Sequence, residues 1–170
     1  MKKLILLLVI INFVQSITNA QETNVSQEKM IYKEVNGQNL AVYVFYSPEV
    51  MKKSNNPAIA LFHGGGWVYG SPEEFYEACR RYARKGFVTF SFQYRLSINK
   101  DESYPHPEIS PIESVKDARS AIRWIRENAK DLKIDPDKIV VGGQSAGGQL
   151  ALSTALLDNI KTFKTPTSLI

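Results

Sequence analysis

Cysteine is nearly missing from this chain: 170 residues contain one, Cys79. A single thiol excludes an intrachain disulfide, so an exported protein of this kind must hold its shape by core packing. A buried, unreactive thiol is the plain reading of Cys79, because a catalytic one needs an accessible, electropositive site. Histidine is almost as scarce, with His63 and His106 alone. An excess of one charge is lacking too: the formal net charge is +4 and the basic residues are scattered among acidic ones, which gives no footing for nucleic acid. The sequence carries no internal repeat and no low-complexity linker after residue 20. No apolar run reaches the ~20 residues that span a bilayer.

The longest apolar run, Leu4 to Ile11, follows Lys2 and Lys3 and is itself followed by polar Asn12, Gln15 and Ser16. Thr18-Asn19-Ala20 then offers small residues where a signal peptidase reads. That order predicts a secretory signal peptide over residues 1–20, cleaved after Ala20, and a secreted or periplasmic protein with no stable membrane anchor. No cysteine stands near the cleavage site to carry a lipid. Loss of Lys2 and Lys3 lowers the formal charge from +4 to +2.

Residues 21–170 suffice for one modest domain with a real core. Residues 21–29 are polar and predict a loose lead-in, with the domain running from 30. Met30–Val35 and Leu40–Tyr46 are rich in branched and aromatic residues, and Asn36-Gly37 between them signals a hairpin. Ala58–Gly64 is a continuous apolar run of the kind found in strands covered on both faces. Ser71-Pro72-Glu73-Glu74 carries helix-start signals, with the end near Lys85-Gly86. Phe87–Tyr94 predicts the next strand, and a loop with Pro105, Pro107 and Pro111 follows. Val115, Ala118, Ile122 and Ile125 then form one apolar stripe on a helix over 112–129. Asp135-Pro136 predicts a turn, Lys138–Val141 a short strand, and 145–157 a helix. The alternation predicts an α/β fold, a mostly parallel sheet with helices on both faces, whose ligands bind at the carboxyl ends of the strands.

Two motifs at those ends carry chemistry. Gly143-Gln144-Ser145-Ala146-Gly147 fits G-x-S-x-G between a strand and a helix, where flanking glycines let a sharp turn expose the serine hydroxyl. The helix start beyond it supplies unpaired amides and a positive dipole end. His63-Gly64-Gly65-Gly66-Trp67 is the second: glycines let the backbone approach a substrate, and successive amides can point at one oxygen. A dinucleotide loop is disfavoured, since no G-x-G-x-x-G opens a helix here and Trp67 and Tyr69 intervene.

With "HGGGW", the "YRL" of Tyr94 to Leu96, "DARSAIRWIREN" from Asp117 and "GGQSAGGQLA", the chain from about residue 30 onward resembles the α/β-hydrolases. Within that fold it is similar to the esterase and lipase group related to hormone-sensitive lipase and to the bacterial acetyl- and feruloyl-esterase-like group. The resemblance implies a carboxylic ester hydrolase working through an acyl-serine, with acetyl or feruloyl esters of polysaccharides as candidate substrates. Ser145 would be the nucleophile, the amides of Gly65, Gly66 and Ala146 the oxyanion hole, and His63 a structural support of the glycine loop. Trp67 and Tyr69 are candidates for the substrate pocket, with plain packing as the alternative. Neither metal nor organic cofactor is implied, and the partner is a small-molecule or polysaccharide ester.

A serine needs a base, commonly a histidine oriented by a carboxylate. In this fold the acid and histidine follow the serine, yet after Ser145 there is no histidine and one carboxylate, Asp158. Asp158 would sit about 20 Å from Ser145 at the far end of one helix, too far for a triad acid. His106 is a remote alternative. Asp117 precedes the serine on a crossover helix and reads as a salt-bridge partner or a cap, with Arg119 or Arg95. The expectation is therefore an N-terminal part of a hydrolase, truncated after the helix that follows the serine, inactive as a 170-residue chain because the triad acid and histidine are absent. A serine peptidase of the prolyl oligopeptidase type and a non-catalytic hydrolase-fold binding protein are the competing readings.

Overall fold

The computed structural model describes residues 24–97 and 110–156. The expected signal peptide, the loop with His106, and Asp158 lie outside the described residues. In chain order the elements are β1 (Ser26–Val35), β2 (Gln38–Tyr46), a short α1 (Pro48–Met51), β3 (Asn56–Phe62), a 3₁₀ turn (Pro72–Phe75), α2 (Tyr76–Ala83), β4 (Val88–Phe92), α3 (Pro111–Glu127), β5 (Ile134–Gly143) and α4 (Ala146–Leu156).

The strands form one sheet in the order β1-β2-β4-β3-β5. Among the described residues this sheet is mixed rather than mostly parallel. β3 pairs in parallel with β4 and β5, while the hairpin adds two antiparallel ladders, β1 with β2 and β2 with β4. Asn36 and Gly37 turn the hairpin with φ of +50° and +73°, the left-handed backbone that an Asn-Gly pair adopts readily.

Side-chain alternation on the central strands assigns the helices to faces. Ala58, Ala60 and Phe62 of β3 and Val88, Phe90 and Phe92 of β4 join a core with Ala118, Ala121, Ile122 and Ile125 of α3 and Leu150 of α4. Ile59 and Leu61 point the other way, to Phe45 and to Cys79 and Ala83 of α2. Helices therefore cover both faces, and the predicted stripe on α3 is the face that is buried. Removing a side chain such as Ile125 from water is worth roughly 1.5–3 kcal/mol. Polar residues on the α2 side of β4 are satisfied: the Thr89 hydroxyl donates to the Cys79 carbonyl (3.1 Å) and that of Ser91 to the Pro72 carbonyl (2.7 Å).

Two boundaries differ from the sequence expectation. β1 begins at Ser26, so residues 26–29 of the segment expected as a loose lead-in are strand. Its polar residues pair with β2 from Ser26↔Tyr46 onward on an edge where both faces meet water, and no alternation of apolar and polar residues advertises such a strand. β5 begins at Ile134 rather than Lys138. The expected turn is present inside it: Asn56 pairs with Ile134 and Ala58 with Ile139, so residues 135–138 bulge out of the ladder, closed by the Asp137 amide on the Asp135 carboxylate (3.0 Å).

Burial pushes the Cys79 thiol up to about 12, and the side chain is fully enclosed. A thiol-specific disulfide reagent is therefore expected to leave the folded protein unlabelled at pH 8 and to react with one equivalent after denaturation. Rapid labelling of the native protein would contradict the placement of α2.

Candidate active site

β3 and β5 run in parallel with Phe62 opposite Gly143, so the two glycine motifs leave the sheet side by side. The Gln144 amide donates back to the Phe62 carbonyl (3.3 Å) and the Gly147 amide to the Gln144 carbonyl (2.8 Å), which closes the turn from β5 into α4. Glycine is required at both flanking positions. A Cβ on Gly147 would overlap the carbonyls of Phe62 and His63, and one on Gly143 would lie 2.6 Å from the Phe62 oxygen. Between them Ser145 is exposed and holds φ +52°. A left-handed backbone at a non-glycine residue costs roughly 1–2 kcal/mol and persists only where the surroundings fix it.

The glycine loop lies against this turn. A Cβ on Gly64 would stand 3.2 Å from the Gln144 oxygen and 3.7 Å from Ser145 Cβ, so the loop and the serine are in contact distance. Gly65 turns with φ +107°, where a side chain would overlap the Tyr69 carbonyl. The Gly65 carbonyl accepts the amides of Val68 (3.0 Å) and Tyr69 (3.1 Å). The amides of Gly65, Gly66 and Ala146 take no backbone acceptor among the described residues.

His63 is 1% exposed, and its ring stacks on Tyr94 with centroids 4.3 Å apart. Its Nδ1 lies 2.8 Å from the Gly64 carbonyl. A carbonyl can only accept, so Nδ1 carries the proton and donates. Burial holds the His63 pKa below its ordinary 6.5, and the ring is a neutral brace for the loop. Trp67 is half-buried against the main core at φ +65°, and its buried indole N–H has no partner among the described residues; Tyr69 is 69% exposed beside it.

Asp117 is fully buried and spent. Its oxygens accept Arg95 Nε and a terminal Arg95 nitrogen, both at 2.8 Å, and Lys33 Nζ at 2.6 Å. Of the two partners open on the sequence, Arg95 is the one used; Arg119 leaves a buried guanidinium nitrogen unpaired among the described residues. Sequence reasoning missed the part played by the residues around Arg95: Tyr94 donates its hydroxyl to the carbonyls of His63 (2.9 Å) and Gly64 (3.2 Å). The only sequence signal was the "YRL" triplet, which carries no periodicity.

A twisted α/β sheet that brings a glycine loop and a strand-serine-helix turn together at the carboxyl ends of parallel strands has the architecture of the α/β-hydrolases. Residues 44–169 match the BD-FAE family, and the chain belongs to it. It is 40% identical over 113 residues to an arylesterase of Saccharolobus solfataricus, across 66% of this chain and 33% of that one. It is 33% identical over 119 residues to carboxylesterase NlhH of Mycobacterium tuberculosis, across 69% and 34%. Among solved structures, esterase Est2 of Thermogutta terrifontis superposes with a TM-score of 0.66 at 36% identity, covering 74% of this chain and 42% of that one. Est2 has been solved native, with propionate bound and phosphorylated by paraoxon. The chain thus spans about a third of the length of the curated relatives it matches.

Gly147→Ala is expected to destabilise by about 3 kcal/mol or more, the upper range for overpacking, because its neighbours are backbone. Gly148→Ala, whose Cβ would meet the Gly143 oxygen at 3.3 Å, is expected to cost under about 1 kcal/mol. Denaturant midpoints of the two variants check the contrast. His63 adds a pH dependence of definite sign. Its folded pKa is lowered from 6.5, so stability is full above pH 6.5 and declines as pH falls through 6.5 toward the folded value. The loss between pH 7.5 and 5 should shrink in His63→Gln, measured by denaturant unfolding at each pH.

Proposed function

We propose that the protein is a serine carboxylic ester hydrolase in which Ser145 is the nucleophile and the amides of Gly65, Gly66 and Ala146 hold the oxyanion. One observation carries this reading: an exposed serine held at φ +52° by glycine contacts on both sides, within contact distance of a glycine loop whose Gly65 and Gly66 amides have no backbone acceptor among the described residues. A structural turn has no need of the strain, and a binding module has no need of the free amides. The names of the relatives, arylesterase and carboxylesterase, support the same chemistry.

In the reaction the Ser145 oxygen bonds to the ester carbonyl carbon as its proton passes to a base. The carbonyl oxygen takes the negative charge against the amides, and the alcohol departs with that proton, leaving an acyl-serine. Water then attacks the acyl carbon by the same route and releases the acid. Among the described residues His63 braces the glycine loop and Asp117 is neutralised by Arg95 and Lys33. We place the base outside them. Trp67 and Tyr69, which follow the glycine loop, line the entrance for the acyl or alcohol group.

The substrates we propose are carboxylic esters of small acyl groups, with acetyl or feruloyl substituents of polysaccharides as the natural class. The propionate-bound form of Est2 and the BD-FAE match support that choice. The N-terminal pattern of Lys2, Lys3, Leu4–Ile11 and Ala20 supports export to meet such a substrate.

In the full-length protein Ser145→Ala is expected to lower kcat on an aryl acetate by at least about a thousandfold and to abolish covalent phosphorylation by paraoxon, read by mass spectrometry of the intact protein. Unchanged turnover in that variant would remove Ser145 from the mechanism.

A further inference from the structure

Beyond β4 the chain passes between the glycine loop and α3, and residues 94–97 touch both. On the loop side the Tyr94 hydroxyl donates to His63 O and Gly64 O, its ring stacks on the His63 imidazole, and the Ser97 amide donates to the Trp67 carbonyl at 2.6 Å. On the helix side the Ser114 hydroxyl donates to the Arg95 carbonyl at 2.6 Å. The Asp117 carboxylate accepts the Arg95 amide at 3.1 Å and two guanidinium nitrogens at 2.8 Å. Glu113 Oε2 adds a contact to Arg95 at 3.0 Å. Tyr94 and Arg95 are 1% and 6% exposed, and Ser114 and Asp117 are fully enclosed, so this bridge is shielded from competing water.

The geometry of the peptide bond turns that bridge into an aiming device. Gly64 C=O and Gly65 N–H belong to one planar trans unit and point in opposite directions. Fixing the oxygen fixes the amide. Glycines on both sides leave the torsions about this plane almost free, and two side chains hold its oxygen: His63 Nδ1 at 2.8 Å and the Tyr94 hydroxyl at 3.2 Å. Burial pushes the Tyr94 phenol up, so it remains a donor throughout the working pH range. The next plane is fixed from within, since the Gly65 carbonyl accepts the Val68 and Tyr69 amides and thereby orients Gly66 N–H.

We infer that Tyr94 is a positioning residue for the oxyanion hole, aiming the Gly65 amide through the Gly64 carbonyl, and that Asp117 positions Tyr94 through Arg95. This rests on the reading of Ser145 and the glycine loop given above. Tyr94 touches no reacting atom; its effect is on the direction of a donor whose acceptor becomes an oxyanion only in the transition state. Ground-state binding of an ester should be nearly indifferent to it.

Tyr94→Phe in the full-length protein tests this, because it keeps the ring stack and the packing and removes only the hydroxyl. Active sites are counted by paraoxon titration, so that any misfolded fraction drops out. Per titrated site, kcat on an aryl acetate should fall about tenfold with KM within about twofold, and the Ki of a trifluoromethyl ketone, which forms an oxyanion on the serine, should rise by the same factor. A wild-type kcat per titrated site, or a fall in kcat without the matching rise in Ki, would overturn the inference. Asp117→Asn should show the same split in the fraction that titrates, and a loss carried by KM there would separate Asp117 from the device. A dead Ser145→Ala beside a fully active Tyr94→Phe would defeat this inference alone, whereas an active Ser145→Ala would defeat the reading beneath it.

Discussion

The carbonyl of Phe62 is the constraint on which the site depends. It ends β3, lies opposite Gly143 in the parallel ladder, accepts the Gln144 amide, and is the atom that any side chain on Gly143 or Gly147 would strike. One oxygen thus couples the strand register to the shape of the serine turn. A slip by one residue would put Leu61 or His63 opposite Gly143 and reverse which face of β3 meets α3. The buried phenylalanines of β3 and β4 forbid that slip, because Phe62, Phe90 and Phe92 stack in one core with centroid distances of 5.4 and 6.0 Å. Core packing sets the register, and the register brings two glycine segments into contact.

A second layer hangs from that one. The fully enclosed carboxylate of Asp117 sits among a guanidinium, an ammonium and a backbone amide. Burying such a group gains little net stability against an apolar substitute, while removing one partner leaves an uncompensated charge. Its value here is geometric. Arg95 comes from the segment after β4, Lys33 from β1 and Asp117 from α3, so a hairpin edge, a loop and a helix are joined at a single point. An apolar cluster would hold these three together equally well but would not fix the orientation of Arg95, and the bidentate fork does. The hairpin edge is thereby tied to the site it does not touch.

Much of the architecture was legible because its signals are local. Alternation and glycine spacing are written within a few residues, so the strand-serine-helix turn, the hairpin at Asn36-Gly37 and the buried stripe of α3 could be read directly. Where the deciding contact lies far along the chain, the reading stopped. Asp117 had two candidate partners because charge complementarity is not directional in sequence. Only the fold tells that Arg95, 22 residues earlier, is delivered by the turn after β4, while Arg119 stands two places on, around the side of the same helix. β1 extends four residues ahead of its apolar pattern because an edge strand in water needs no apolar face. Tyr94 was opaque for a similar reason: a lone tyrosine at a strand end gives no hint that its hydroxyl will meet two carbonyls contributed from 30 residues upstream.

The strained backbone of Ser145 connects these layers. A left-handed serine relaxes unless its neighbours hold it, and each neighbour that does so is glycine or backbone rather than a side chain that could shift. The contacts are therefore hard: moving Gly147 moves the Phe62 carbonyl, and through it the ladder. The glycine loop is held differently, by hydrogen bonds from side chains to carbonyls, which bend at low cost. The nucleophile is thus fixed by steric contact and the oxyanion donors by polar contact. It follows that variation in rate among proteins built this way should arise more readily on the loop and its supports than at the serine turn, where nearly any change is felt first as a loss of the fold.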